Sequence, residues 1–102
     1  MKTTTVTELV TFKLLETITE EQLLSKADLF NDFQKRQDGF IDAELVKDVK
    51  ENAWCLIYHY ESMDKVKVIG ENLRNSREFA EFTAELVPGS LKVSFHHTLK
   101  RW

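Results

Sequence analysis

What most constrains this chain is the way its hydrophobic period switches along its length, from two residues to 3.6 and back. Val6 to Leu15 alternates: Val10, Phe12 and Leu14 share one parity, and Leu9, Thr11 and Lys13 the other, the period of a pleated strand. A helix is expected next. Thr19 with Gln22 three residues on fits a capping box, and Glu20 and Glu21 suit the positive end of a helix. Leu23, Ala27, Phe30 and Phe33 then recur at helical spacing, with Leu24 beside them. The charged run KRQD closes this segment, and Asp38-Gly39 is a turn signal.

Strand periodicity returns from Phe40 to Lys50, where Ile41, Ala43 and Leu45 share a parity. After a short Glu51-Asn52 turn it resumes from Trp54 to Glu61, so these two strands read as a hairpin. Past Ser62 the period is helical again, with Val66, Ile69 and Leu73 on one stripe. Asn75-Ser76 interrupts it and either residue can recap the next turn, after which Phe79, Phe82 and Leu86 continue the apolar face. Pro88-Gly89 stops the helix. Leu91, Val93, Phe95, His97 and Leu99 share one side of a last strand, Leu91 to Lys100.

The order is βαββαβ, which predicts an α+β, ferredoxin-like fold: an antiparallel sheet with both helices on one face, in a single domain over residues 1–102. The uncovered face would carry Leu9, Thr11, Phe40, one parity of the third strand, and Lys92, Ser94 and His96. It is too apolar to stay wet, so a second subunit packed sheet to sheet is expected, giving a homodimer.

Composition removes several function classes. A net charge of −3 and a pI near 5.6, with no basic stripe, argue against nucleic acid. A lone cysteine, Cys55, fits a reducing compartment, and the start MKTTTVTELV lacks the apolar core of a signal peptide. No apolar run approaches the ~18 residues that cross a bilayer. A cytoplasmic protein without membrane contact is expected. No metal-ligand spacing, glycine-rich phosphate loop or nucleophile elbow is present, so neither metal nor cofactor is expected.

Candidate site residues cluster in WCLIYHYES, Trp54 to Ser62. Strand parity splits them: Trp54, Leu56, Tyr58 and Tyr60 share one face, and Cys55, Ile57, His59 and Glu61 the other. Tyr58, His59 and Tyr60 therefore cannot all line one pocket. The tyrosines could orient a phenolic or carbonyl oxygen and Trp54 could stack on a ring, or all three could be amphipathic core residues. His59 could be a base, or a histidine paired at an interface with Glu61 or His96. His97 lies on the apolar side of the last strand, as a base or as a satisfied core histidine, and His96 points the other way.

This chain resembles the dimeric α+β barrel proteins, and among them the antibiotic-biosynthesis monooxygenases. WCLIYHYES stands where that family has an aromatic-rich strand ending in an acidic-small pair. NSREFAEF, Asn75 to Phe82, stands where it has a polar recap before two phenylalanines one turn apart. The resemblance implies a homodimer with a pocket in each subunit between sheet and helices, and it turns the tyrosine parity toward the helices. It includes cofactor-independent oxygenases of phenolic or quinol-like substrates, haem-degrading enzymes and proteins without a reaction. Many members carry a histidine early in the second helix, whereas IGENLRN, Ile69 to Asn75, has none. Haem-degrading members have an asparagine on the first strand, absent here, and a tryptophan where Tyr60 stands.

Two functional expectations follow. One is a cofactor-independent monooxygenase of a small aromatic or quinol-type compound. His97 (alternatively His59) would be its base, and Trp54, Tyr58 and Tyr60 its ligand-binding side chains. The other is a non-catalytic dimer of the same fold that binds a small apolar or aromatic molecule.

Overall fold

Alternating burial along Trp54–Tyr60 organises the molecule: every even-numbered residue of this strand is buried and every odd-numbered one half-buried. The computed structural model describes residues 5–102. The first four residues of the segment read for a signal peptide lie outside them. In chain order the elements are β1 (Val6–Phe12), α1 (Glu20–Gln34), β2 (Phe40–Lys47), β3 (Trp54–Tyr60), α2 (Met63–Arg74), α3 (Arg77–Thr83) and β4 (Lys92–His97). The sheet order is β2-β3-β1-β4, with every pairing antiparallel. This is the ferredoxin-like α+β arrangement expected from the element order.

The caps act as their residue types dictate. Thr19 and Gln22 form both halves of a capping box at the start of α1. Ser76 accepts from the Phe79 amide and starts α3, so the expected second helix is two helices joined at Asn75-Ser76. Gly39 turns the chain from α1 into β2 at φ +100, where a Cβ would stand 2.5 Å from the Lys65 Cβ.

The core lies on the helix side of the sheet. Val6, Val10, Phe12, Trp54, Leu56, Tyr58 and Tyr60 meet Leu23 and Phe30 of α1, Val66 and Ile69 of α2, and Phe82 of α3. Phe82 is its hub, edge-on to Phe12 at 5.4 Å and tilted against Phe30 at 5.0 Å between ring centroids.

Three strand expectations are corrected. β1 ends at Phe12, although Leu14 still bridges to Leu86. β2 ends at Lys47, because Asp48 Oδ1 accepts from the amides of Lys50 and Glu51, each at 2.9 Å, and folds the chain into a turn. β4 ends at His97, leaving Leu99 91% exposed.

A bulge between Phe40 and Asp42 also breaks the expected parity of β2. Phe40 pairs with Tyr60 and packs edge-on against Tyr58 and Tyr60 on the helix side, not on the open face. Ile41 is the bulged residue and is exposed, while Ala43 and Leu45 face inward opposite Tyr58 and Leu56.

The open face is built from rows of paired residues. One row places Glu44, Ile57, Leu9 and Ser94 side by side, and the next Asp42, His59, Thr7 and His96. Among the described residues no helix is long and apolar enough to cross a membrane.

Candidate ligand cavity

β1 and β3 pair with Val6 opposite Tyr60 and Glu8 opposite Tyr58. Glu8 has the parity of buried Val6 and Val10, so the register turns a carboxylate toward the helices. Its Oε1 accepts a hydrogen bond from the Tyr60 hydroxyl at 3.0 Å. The same hydroxyl accepts from Gln34 Nε2 at 3.1 Å. Gln34 closes α1 and is only 1% exposed; its Oε1 is buried with no partner among the described residues.

The electrostatics follow from burial. Desolvation raises the Glu8 carboxyl above its ordinary value, with the Tyr60 hydrogen bond opposing. Burial, then the charge of Glu8, pushes both the Tyr58 and Tyr60 phenols far up, so both stay neutral hydrogen-bond donors. A carboxylate with a raised pKa is a better proton acceptor than an ordinary one.

Glu8, Gln34 and Tyr60 form the polar end of a cavity of about 330 Å³ between the sheet and α2. Met63, Val66, Ile69 and Leu73 of α2 and Phe95 of β4 supply its apolar walls. A volume at the lower end of the ligand-pocket range, with apolar walls and few polar groups, suits a small organic molecule. A larger trough of about 720 Å³ lies at the opposite end of β3, beside Trp54, Lys13, Lys47 and Lys92. Among the described residues no buried polar group without a partner lines that trough, so the smaller cavity is the better site.

No family model and no curated protein sequence matches the chain. Solved structures do. SnoaB, a cofactor-independent oxygenase from Streptomyces nogalater, superposes at a TM-score of 0.76 and 14% identity over 96% of both chains. A candidate antibiotic biosynthesis monooxygenase from Nitrosomonas europaea gives 0.76 at 10% identity, over 97% of this chain and 94% of that one. Protein SO0527 from Shewanella oneidensis gives 0.69 at 19% identity, over 95% and 93%. The chain has the fold of the antibiotic biosynthesis monooxygenases. At these identities the likeness is one of backbone architecture.

Within this monooxygenase-like fold the residues singled out from the sequence separate. Tyr58 and Tyr60 lie together, ring centroids 5.8 Å apart. Trp54 stands at the other end of β3, stacked on Phe12, with Nε1 donating to Asn52 Oδ1 at 3.1 Å and the Lys47 ammonium 5.1 Å from its ring centroid. His97, opposite Val6 on edge strand β4, has the inward parity but is exposed and lines none of the cavities described. His59 lies on the open face with Nδ1 2.6 Å from Asp42 Oδ1, and Arg101 donates to the other oxygen of that carboxylate at 3.3 Å. His96 Nε2 lies 2.9 Å from Ser94 Oγ. Among the described residues no three histidine, cysteine or acidic side chains are grouped to hold a metal ion.

Sequence reading missed Glu8 and Gln34. Both carried a signal: Glu8 is an acid at the inward parity between Val6 and Val10, and Gln34 falls on the Leu23, Ala27, Phe30 stripe where an apolar residue belongs.

Proposed function

We propose that this chain is a small cofactor-independent monooxygenase of an aromatic, quinol-type compound, working as a single-domain homodimer in the cytoplasm. The observation that carries the reading is the Gln34–Tyr60–Glu8 hydrogen-bond chain at the polar end of an otherwise apolar cavity. Apolar walls hold an aromatic ring, and Tyr60 orients its oxygen. Glu8 takes the phenolic proton in place of His97, which is exposed and outside the cavity lining. The phenolate, desolvated by the walls, reacts with dioxygen as an electron-rich carbanion equivalent. The substrate is the reductant and dioxygen the oxidant. One oxygen atom enters the ring carbon as a carbonyl, and the other leaves as water with the two displaced hydrogens.

A second reading, a non-catalytic binder of small aromatic molecules, is favoured by one feature: Glu8 Oε1 is already engaged by Tyr60. Oxygen uptake by purified protein with a panel of phenols and naphthols distinguishes the two. Turnover in the wild type that is lost in Glu8→Gln supports the oxygenase. Ligand-induced thermal shifts without oxygen uptake support the binder, and turnover that survives Glu8→Gln removes Glu8 as the base.

A further inference from the structure

The cavity is asymmetric in charge. Its buried end carries Glu8, Gln34 and Tyr60, while its exposed rim is a stretch of α2 with Lys67, Gly70, Glu71 and Arg74. Two cations and one carboxylate leave the rim with a surplus positive charge. Glu71 is one turn from Lys67 and three residues from Arg74, spacings at which helix ion pairs form. Neither cation is in an ion pair among the described residues, which holds equally for Lys13, Arg36, Lys50, Lys92 and Lys100; what sets Lys67 and Arg74 apart is that both line this cavity.

Gly70 bears on where the guanidinium sits. A glycine inside a helix is destabilising relative to alanine, and crowding does not require it here: a Cβ added at 70 would meet only Arg74 Nη1, at 3.9 Å. The Arg74 side chain, though exposed, thus folds back along α2 to lie beside Gly70, and both residues line the cavity mouth.

We infer that the ligand of this cavity is an aromatic acid, its hydroxyl at the Glu8–Tyr60 end and its carboxylate at the mouth, received by Arg74 over Gly70 with Lys67 adding charge. The inference rests on the proposed reading of the cavity as an aromatic site and specifies its substrate class. Arg74 here is a specificity residue: it offers a planar fork that a carboxylate can accept from in two places.

The probe is 6-hydroxy-2-naphthoate, which has hydroxyl and carboxylate at opposite ends, compared with the neutral 6-hydroxy-2-naphthamide of the same shape. Dissociation constants are measured by fluorescence titration at low and high salt, with wild type, Arg74→Ala and Arg74→Lys. The acid is expected to bind wild type about tenfold more tightly than the amide, as for one charge-assisted contact at a partly exposed site. The preference should shrink at high salt, disappear in Arg74→Ala and return in part in Arg74→Lys. Affinity for the amide, whose carbonyl accepts only one uncharged bond, should change far less than affinity for the acid in both variants, and urea unfolding reports that the variants fold. Equal affinity for acid and amide, or a preference that survives Arg74→Ala, overturns the acid subsite and leaves the aromatic cavity standing. Binding of neither probe overturns both.

Discussion

Tyr60 donates its hydroxyl hydrogen to Glu8 Oε1 across 3.0 Å, joining two residues 52 positions apart in the chain. β-sheet register creates this contact, since Val6 opposite Tyr60 brings Glu8 within reach of the phenol. The bond has a second anchor in Gln34, so one phenol oxygen ties β1, β3 and α1 together at the buried end of the cavity.

Tyr60→Phe tests that tie. The ring stays, but the Gln34 amide and the Glu8 carboxylate both lose their partner in a buried setting. The expected loss of stability is about 1–3 kcal/mol, the cost of stranding a buried polar group. Urea unfolding measures it, and an unchanged midpoint would mean that water replaces the hydroxyl at no cost.

Glu8 makes stability depend on pH in a defined direction. Its carboxyl is raised by burial above the ordinary 4.5, so the folded state holds this proton more tightly than the unfolded chain does. Its contribution is therefore fully present below pH 4.5, declines as pH rises through the raised folded value, and is absent above it. Glu8→Gln removes the titration while keeping an acceptor for Tyr60. The variant should gain stability relative to wild type as pH rises from 4 to 8, a difference read by urea unfolding at each pH. A difference independent of pH would show that Glu8 is well solvated.

The aromatic core should rank its phenylalanines by burial. Phe82 is fully buried between Phe12 and Phe30, so Phe82→Ala should cost about 3–5 kcal/mol by transfer and cavity terms together. Phe79 is only half-buried, edge-on to Phe30 at 5.9 Å, and Phe79→Ala should cost clearly less. Equal costs measured by chemical denaturation would contradict this packing order.

The proposed dimer would bury the open sheet face. Ile57 sits at its middle, between Leu9 and Glu44 on neighbouring strands, and is half-buried already in one chain. Sedimentation equilibrium should give twice the 12.0 kDa chain mass, and Ile57→Asp should give the monomer by placing a charge in the centre of the interface. A monomeric wild type would remove the sheet-to-sheet arrangement.

Much of this architecture was legible from local pattern. The alternation in Trp54–Tyr60, the Thr19 capping box, the Ser76 recap and the Asp38-Gly39 turn each depend on neighbours within a few residues, and each appears where the sequence placed it. The order of periods was enough to predict the sheet and its one helix-covered face, because an amphipathic element has few ways to bury its apolar side.

What pairs across the sheet was decided only by the tertiary structure. One bulged residue at Ile41 reversed the face of Phe40, since side chains alternate at every step and an inserted residue inverts all that precede it. His97 has the inward parity its sequence predicts, yet β4 is an edge strand and leaves it exposed. Trp54 shares its face with Tyr60, but a strand rises about 3.3 Å per residue, so the two occupy opposite ends of the sheet and different cavities. Glu8 and Gln34, polar residues in apolar stripes, acquired a partner only when register and helix packing brought Tyr60 between them. Periodicity states which way a side chain points; which side chains meet depends on long-range pairing that no local window contains.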